Sequence, residues 1–170
     1  MNFSEFCDNS IRFGNKKVSI ENFLKINTWG RPRDVVQLLN SIADKNPNST
    51  RIGQDEIKNA LNEYSRRAIN EIKDEISVRH GKEIALTLRQ SVHKRHYSTF
   101  DEFDSKVLAR FRFSNQTTLR DDLFHFGVIG NFDDSFSSRR YYWFHRGEEF
   151  LKTELGICIH PGLWNYFNIR

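Results

Sequence analysis

The sequence predicts a mainly α-helical chain with a small β-hairpin, arranged as a helical subdomain over residues 1–80 followed by a winged-helix domain over residues 81–170. Three observations lead there. Apolar residues recur at helical spacing through the first half and restart after Gly81. Two boxes of the form [ST]-x-x-[DE] open apolar segments in the second half, as helix N-termini do. Past residue 127 the texture changes to short aromatic and β-branched runs separated by a polar loop, which is the pattern of a hairpin.

The first helix follows "TWGRPRD". Pro32 suits a first helical turn, where its missing N–H costs nothing, and Val35, Val36, Leu38, Leu39 and Ile42 then repeat at helical spacing until Pro47 and Asn48 in "KNPNST" break the pattern. The next helix carries Ile57, Leu61, Tyr64, Ala68, Ile72 and Ile76 on one face, with Asp55 and Glu56 in the first turn where the helix dipole favours them. Gly81 stops it, because glycine tolerates the left-handed cap conformation, and the domain boundary is placed there.

A new apolar pattern then runs through Ile84, Leu88 and Val92. Thr99 with Glu102 caps a helix bearing Phe100, Phe103, Val107 and Phe111, and Thr118 with Asp121 caps one bearing Leu119, Leu123 and Phe126. "GVIGN" and "RRYYWFHR", separated by "FDDSFSS", read as hairpin strands, and "GICIHPGLW" is one more short apolar segment. Three helices and a two-stranded wing is the order of a winged helix. The same elements also fit a small α+β domain whose hairpin caps the core. The expected core comprises Val36, Leu39, Leu61, Tyr64 and Ile72 in the first part and Phe103, Val107, Leu123 and Trp143 in the second.

Composition narrows the function classes. The 170 residues are 38% hydrophobic, 28% charged and 14% aromatic, enough to pack a core. The net charge of +4 is spread evenly, with 14 Lys/Arg against 12 Asp/Glu up to residue 85 and 12 against 10 beyond it, so neither half is polybasic and any nucleic-acid surface must come from folding charges onto one face. Cys7 and Cys158 have no CxxC spacing and read as reduced thiols, Cys158 as a buried one; no metal, cofactor or membrane span is expected, and the expected location is the cytoplasm.

Catalytic readings find little support. Asp121–Asp122, Asp133–Asp134 and Glu148–Glu149 are sequence neighbours that do not face each other on a helix and read as solvated faces. Lys94 and Arg95 beside His93 and His96 would repel a metal cation, and Cys158 with His160 has no orienting acid nearby. Nucleic-acid contact has better candidates. In a winged helix the third helix enters the major groove and the wing touches the flanking backbone. Here that assigns Gln116, Thr117, Thr118 and Arg120 to the helix, Arg139 and Arg140 to the wing, and Lys94 and Arg95 to the flank, all against double-stranded DNA, while Asp121, Asp122, Asp133 and Asp134 oppose it. The competing interface is aromatic, with Tyr141, Trp143 and Phe144 docking a partner protein.

Taken together, "GRPRDVVQLLN", "I..DEI..AL..YS", "LF.FGVIGN", "YYWFHR" and "ICIHPGLW" resemble the C-terminal part of bacterial P-loop ATPases of the AAA+/STAND type, in which a helical lid precedes a winged-helix domain. The likeness covers roughly residues 20–170. It implies that residues 1–80 are lid-like and that Gly30 and Arg33 form a sensor 2 pattern, G-x-x-R, whose arginine reaches the γ-phosphate of a nucleotide; Asp34 or Glu21 is the alternative partner of Arg33. It also implies a setting in defence against phages or plasmids. The chain departs from the family in lacking G-x-x-x-x-G-K-[ST], for which "FGNKK" is too short, so no ATP hydrolysis is expected of it alone and Arg33 is vestigial or serves a nucleotide held by an ATPase domain in trans. The resulting expectation is a non-catalytic DNA- or partner-binding module of, or beside, an ATPase. Its rivals are a protein-interaction module and a stand-alone winged-helix transcriptional regulator.

Overall fold

The computed structural model describes residues 8, 10–13, 16–111 and 115–169; Cys7 lies outside them. The chain is mainly helical with two small antiparallel sheets, and it forms two compact units, Met1–Arg67 and Ala68–Arg170. Gly81, at φ +87°, ends the long helix as its sequence position requires, whereas the division between the two units falls at Arg67–Ala68, inside that helix and not at Gly81.

In the first unit, strands β1 (Ser10–Phe13) and β2 (Lys16–Ser19) pair antiparallel, with Ile11 opposite Val18. Helix α1 (Ile20–Asn27) starts at Ser19, whose hydroxyl accepts from Asn22 N at 3.2 Å. The apolar periodicity of the sequence predicts neither the hairpin nor this helix, although Gly14-Asn15 is a turn dipeptide. Helix α2 (Pro32–Lys45) has Pro32 at its start, as expected. Its buried face is Asp34, Leu38, Ser41 and Ile42. The expected Val36 is instead 54% exposed and Leu39 only half-buried, while Leu38 is 0% exposed. The apolar run around Val35–Leu39 is wide enough for two stripes, and a buried Asp34 selects the one containing its i+4 neighbour, Leu38.

Helix α3 (Gln54–His80) begins in the first unit, where Ile57, Ala60 and Tyr64 are buried and Leu61 is half-buried, and it ends in the second, where Ile72 and Ile76 are buried. The second unit continues with α4 (Ile84–Ser91), β3 (His96–Tyr97), α5 (Phe100–Lys106), a 3-10 turn (Leu108–Arg110) and α6 (Gln116–His125). It closes with β4 (Ile129–Asp133), β5 (Arg140–Tyr142), β6 (Gly156–Ile159) and the short α7 (Trp164–Phe167). The capping box at Thr99 forms: its hydroxyl accepts from Glu102 N at 3.1 Å while the Glu102 carboxylate accepts from Ser98 N at 2.8 Å. The box at Thr118 does not. Asn115 is the cap of α6, accepting from the amides of Thr117 and Thr118, because its carbonyl sits one turn earlier and satisfies two orphan N–H groups at once.

The expected hairpin is β4 with β5, Phe132 opposite Tyr141. It belongs to a four-stranded sheet of order β3-β6-β4-β5, in which the apolar "GICI" segment is an inner strand. Ile129, Ile157, Ile159 and Tyr97 are all buried on one face of this sheet. On the other face two glycines make room for aromatic rings. A Cβ on Gly130 would lie 2.4 Å from the Trp143 ring, and one on Gly156 would lie 2.4 Å from the Phe132 ring. Phe132, Trp143 and Cys158 form a buried cluster there, and burial raises the Cys158 thiol pKa well above its ordinary value.

Candidate functional site

The β4–β5 hairpin and helix α6 before it hold most of the candidate contacts. The first turn of α6 presents Gln116, Thr117 and Thr118 to solvent, since Asn115 caps the helix by bonding the amides and leaves these side chains outward. Arg120 does not join them. It is 15% exposed, donates to Asp104 at 2.6 Å and lies 4.8 Å from the Phe100 ring centre, so its charge is committed to α5. Asp121 is exposed as expected, but Asp122 is not a solvated acid. It is buried between Arg79 Nη1 and His80 Nε2, each at 2.8 Å. A lone acid on an apolar helix face is stable only with such partners, and they come from 42 and 43 residues away.

Arg139 is gripped in two-pronged fashion by Asp134, at 2.5 and 2.8 Å, and lies over the Phe132 ring. Lys94 is bound by the Glu102 carboxylate, which Lys106 also reaches at 2.8 Å. Those bonds hold the pKa of Glu102 down at about 2, with the Lys106 bond the largest cause. Arg140 stacks on Phe136 at 3.6 Å, and Arg95 stacks on Trp164 at 3.8 Å. Three of the expected phosphate contacts, Lys94, Arg120 and Arg139, are therefore each closed onto a carboxylate of the chain itself. The Lys94 and Arg139 pairs are partly exposed and individually weak and the Arg120 pair is largely buried, yet each must be broken before its arginine or lysine meets a phosphate.

The three aromatic candidates do not share a surface. Trp143 is 3% exposed and belongs to the core, because Gly130 gives its ring a seat on the sheet, so it cannot anchor a partner as its sequence position suggests. Tyr141 is exposed beside His96, its hydroxyl 3.3 Å from Nε2. Burial foremost, with the nearby Arg139 charge next, lowers the His96 pKa to about 4, so this imidazole is neutral at physiological pH. Phe144 is exposed and meets α6, edge-on to Phe124 and His125.

In the first unit the segment before α2 is locked by buried polar groups. Asn27 Nδ2 and Thr28 Oγ1 donate to the carbonyls of Phe23 and Leu24, and Tyr64 OH donates to Asn27 O. Gly30 then turns at φ +68°, a conformation costly for residues with a Cβ. Buried Asp34 takes Arg31 Nε at 3.0 Å, whereas Arg33 approaches it only to 3.8 Å and is 62% exposed. The role of Arg31 as the anchoring arginine was not legible in the sequence, where both arginines flank the same proline.

Residues 3–73 match the family described as the FunZ-associated C-terminal helical domain. That span holds β1, β2, α1, α2 and most of α3. No curated protein and no solved structure matches the chain. Among the described residues no helix is long and apolar enough to cross a membrane.

Proposed function

We propose that the chain is a non-catalytic accessory module in which a helical unit of the FunZ-associated type is joined to a winged-helix unit that docks on a partner protein. The observation that carries this reading is the topology of the second unit. Helix α4, strand β3, helices α5 and α6, then β4 and β6, with β6 lying between β3 and β4, is the order of a winged helix in which residues 134–155 form an elaborated wing. The closure of Lys94, Arg120 and Arg139 onto their own carboxylates favours a protein over a duplex on the α6 and wing face. Exposed Phe144 against α6 and exposed Tyr141 beside His96 are the aromatic anchors offered to such a partner. Because the sequence has no phosphate-cradling loop, any nucleotide that the exposed Arg33 meets is held by a partner ATPase domain. The resemblance to defence ATPases supplies the setting.

Isothermal titration of the chain against a purified FunZ protein tests this. A one-to-one complex is expected, weakened at least about tenfold (roughly 1.4 kcal/mol) by Tyr141→Ala or Phe144→Ala and unchanged by Arg139→Glu. The chain alone should show no ATP turnover. Binding that depends on Arg139 and ignores both aromatics would overturn the docking assignment, and turnover lost on Arg33→Ala would overturn the non-catalytic one.

A further inference from the structure

Among the described residues, Arg140 of the hairpin and Arg146 just after it have no carboxylate partner within ion-pair distance, and three further arginines without one gather around the C-terminal end of α4 in the second unit. Residues 84–100, 105–120 and 155–170 contain no aspartate or glutamate. Helix α4 packs on both α7 and the 3-10 turn Leu108–Arg110, which brings described parts of these three stretches together. At the C-terminal end of α4, Arg110 Nη1 donates to Gln90 O at 2.7 Å, directly beside Arg89. The Arg89 guanidinium lies over the Tyr166 ring at 5.4 Å, and Arg95, just beyond the helix, lies over Trp164 at 3.8 Å. Trp164 is itself held by a bond from Nε1 to Ile159 O at 2.9 Å, and Tyr166 by one from its hydroxyl to Ala85 O at 3.4 Å.

None of Arg89, Arg95 and Arg110 is within ion-pair distance of a carboxylate among the described residues, in contrast to Lys94, Arg120 and Arg139. Arg95 Nε is buried without a hydrogen-bond partner. Stacking on an aromatic ring fixes a guanidinium without neutralising it and leaves its edge free to donate in plane.

We propose that Arg89, Arg95 and Arg110 form a contact surface for the phosphodiester backbone of duplex nucleic acid, separate from the α6 and wing face. Three guanidinium groups at one helix end, each tethered by a ring or a backbone carbonyl, suit a row of phosphates. One face of each of Trp164 and Tyr166 is covered by a guanidinium group, which limits their use as stacking platforms for the bases of a single strand and makes a duplex the fitting form. Backbone contacts of this kind carry no sequence information.

Fluorescence anisotropy of a labelled 20-base-pair duplex, at salt from about 50 to about 200 mM, tests the surface. The full chain should bind irrespective of sequence, and the triple variant Arg89→Gln, Arg95→Gln, Arg110→Gln should bind at least tenfold more weakly. The slope of affinity against salt should fall by about one unit for each arginine removed. Arg139→Gln with Arg140→Gln should leave binding unchanged. Should the triple variant fail to show a native thermal transition, Arg89→Gln alone, on an exposed side chain, should still lower the slope by about one unit. Polyglutamate at equal charge should displace the duplex poorly, and the matching single strand should bind less tightly than the duplex. No binding at tens of micromolar protein in low salt overturns the proposal, as does binding lost only with the wing variant, equal binding of the single strand, or ready displacement by polyglutamate, which would mark an acidic protein as the partner.

Discussion

Replacing Gly130 by alanine probes the packing that removes Trp143 from the surface. The φ of Gly130 is not in the left-handed region, so the backbone accepts alanine, and the loss of glycine freedom in the unfolded chain would by itself stabilise by about 0.4–1 kcal/mol. Space decides the other way. The added Cβ would lie 2.4 Å from Trp143 Cε3, 2.7 Å from Cζ3 and 2.6 Å from the Tyr142 carbonyl oxygen. A rotamer change relieves the ring contact alone, but the carbonyl belongs to β5, so the strand pairing must shift as well. Overpacking of this kind costs about 1–3 kcal/mol, and involvement of backbone places Gly130→Ala near the upper end, for a net loss of about 2 kcal/mol. Urea unfolding followed by far-UV circular dichroism measures it. Gly147→Ala is the control: nothing lies within 4 Å of its Cβ, and its φ of +93° gives a purely conformational cost of about 1–2 kcal/mol. The change at Gly130, unlike that at Gly147, should be partly rescued by Trp143→Leu, which removes the ring but not the carbonyl. Stability equal to or above that of the parent for Gly130→Ala would refute the seating of Trp143 on the glycine.

Three further outcomes follow from the described contacts. Leu38→Ala should cost about 2–5 kcal/mol in the same unfolding experiment and Val36→Ala under about 0.5 kcal/mol; similar losses at both would return the buried stripe of α2 to the one read from the sequence. Asp122→Ala should cost about 3 kcal/mol because it strands the buried His80, whereas Arg79→Ala, with the Arg79 side chain mostly in water, should cost under about 1 kcal/mol; equal costs would show that His80 does not depend on Asp122. His96 should titrate near pH 4 by NMR; since its folded pKa is lowered, the unfolded chain binds the proton first, so stability falls as pH drops from about 6.5 to about 4 and levels off below, and His96→Gln should flatten that part of the profile.

Local chemistry determined much of this protein without tertiary information. Pro32 at the head of α2, Gly81 at the end of α3, the Thr99–Glu102 box and the turn between β4 and β5 are signals that act within one turn or hairpin, and each appears where the residues place it. The β1–β2 hairpin and α1 carry similar short-range signals, a Gly-Asn dipeptide and a serine cap, but the strands are four residues each, too short for a clear alternation of apolar and polar positions. What only the tertiary structure decided is where charges and rings end up. Asp122 looks like any acidic surface residue until Arg79 and His80 meet it, and Arg120 looks like a phosphate contact until Asp104 takes its charge. Trp143 looks like an interface anchor until Gly130 lends it a bare stretch of backbone. Ion pairing and ring packing depend on distances of a few ångströms between residues far apart in the chain, and spacing along a sequence carries no record of those distances; the gathering of Arg89, Arg95 and Arg110 around the end of α4, without a carboxylate partner among the described residues, escapes the sequence for the same reason.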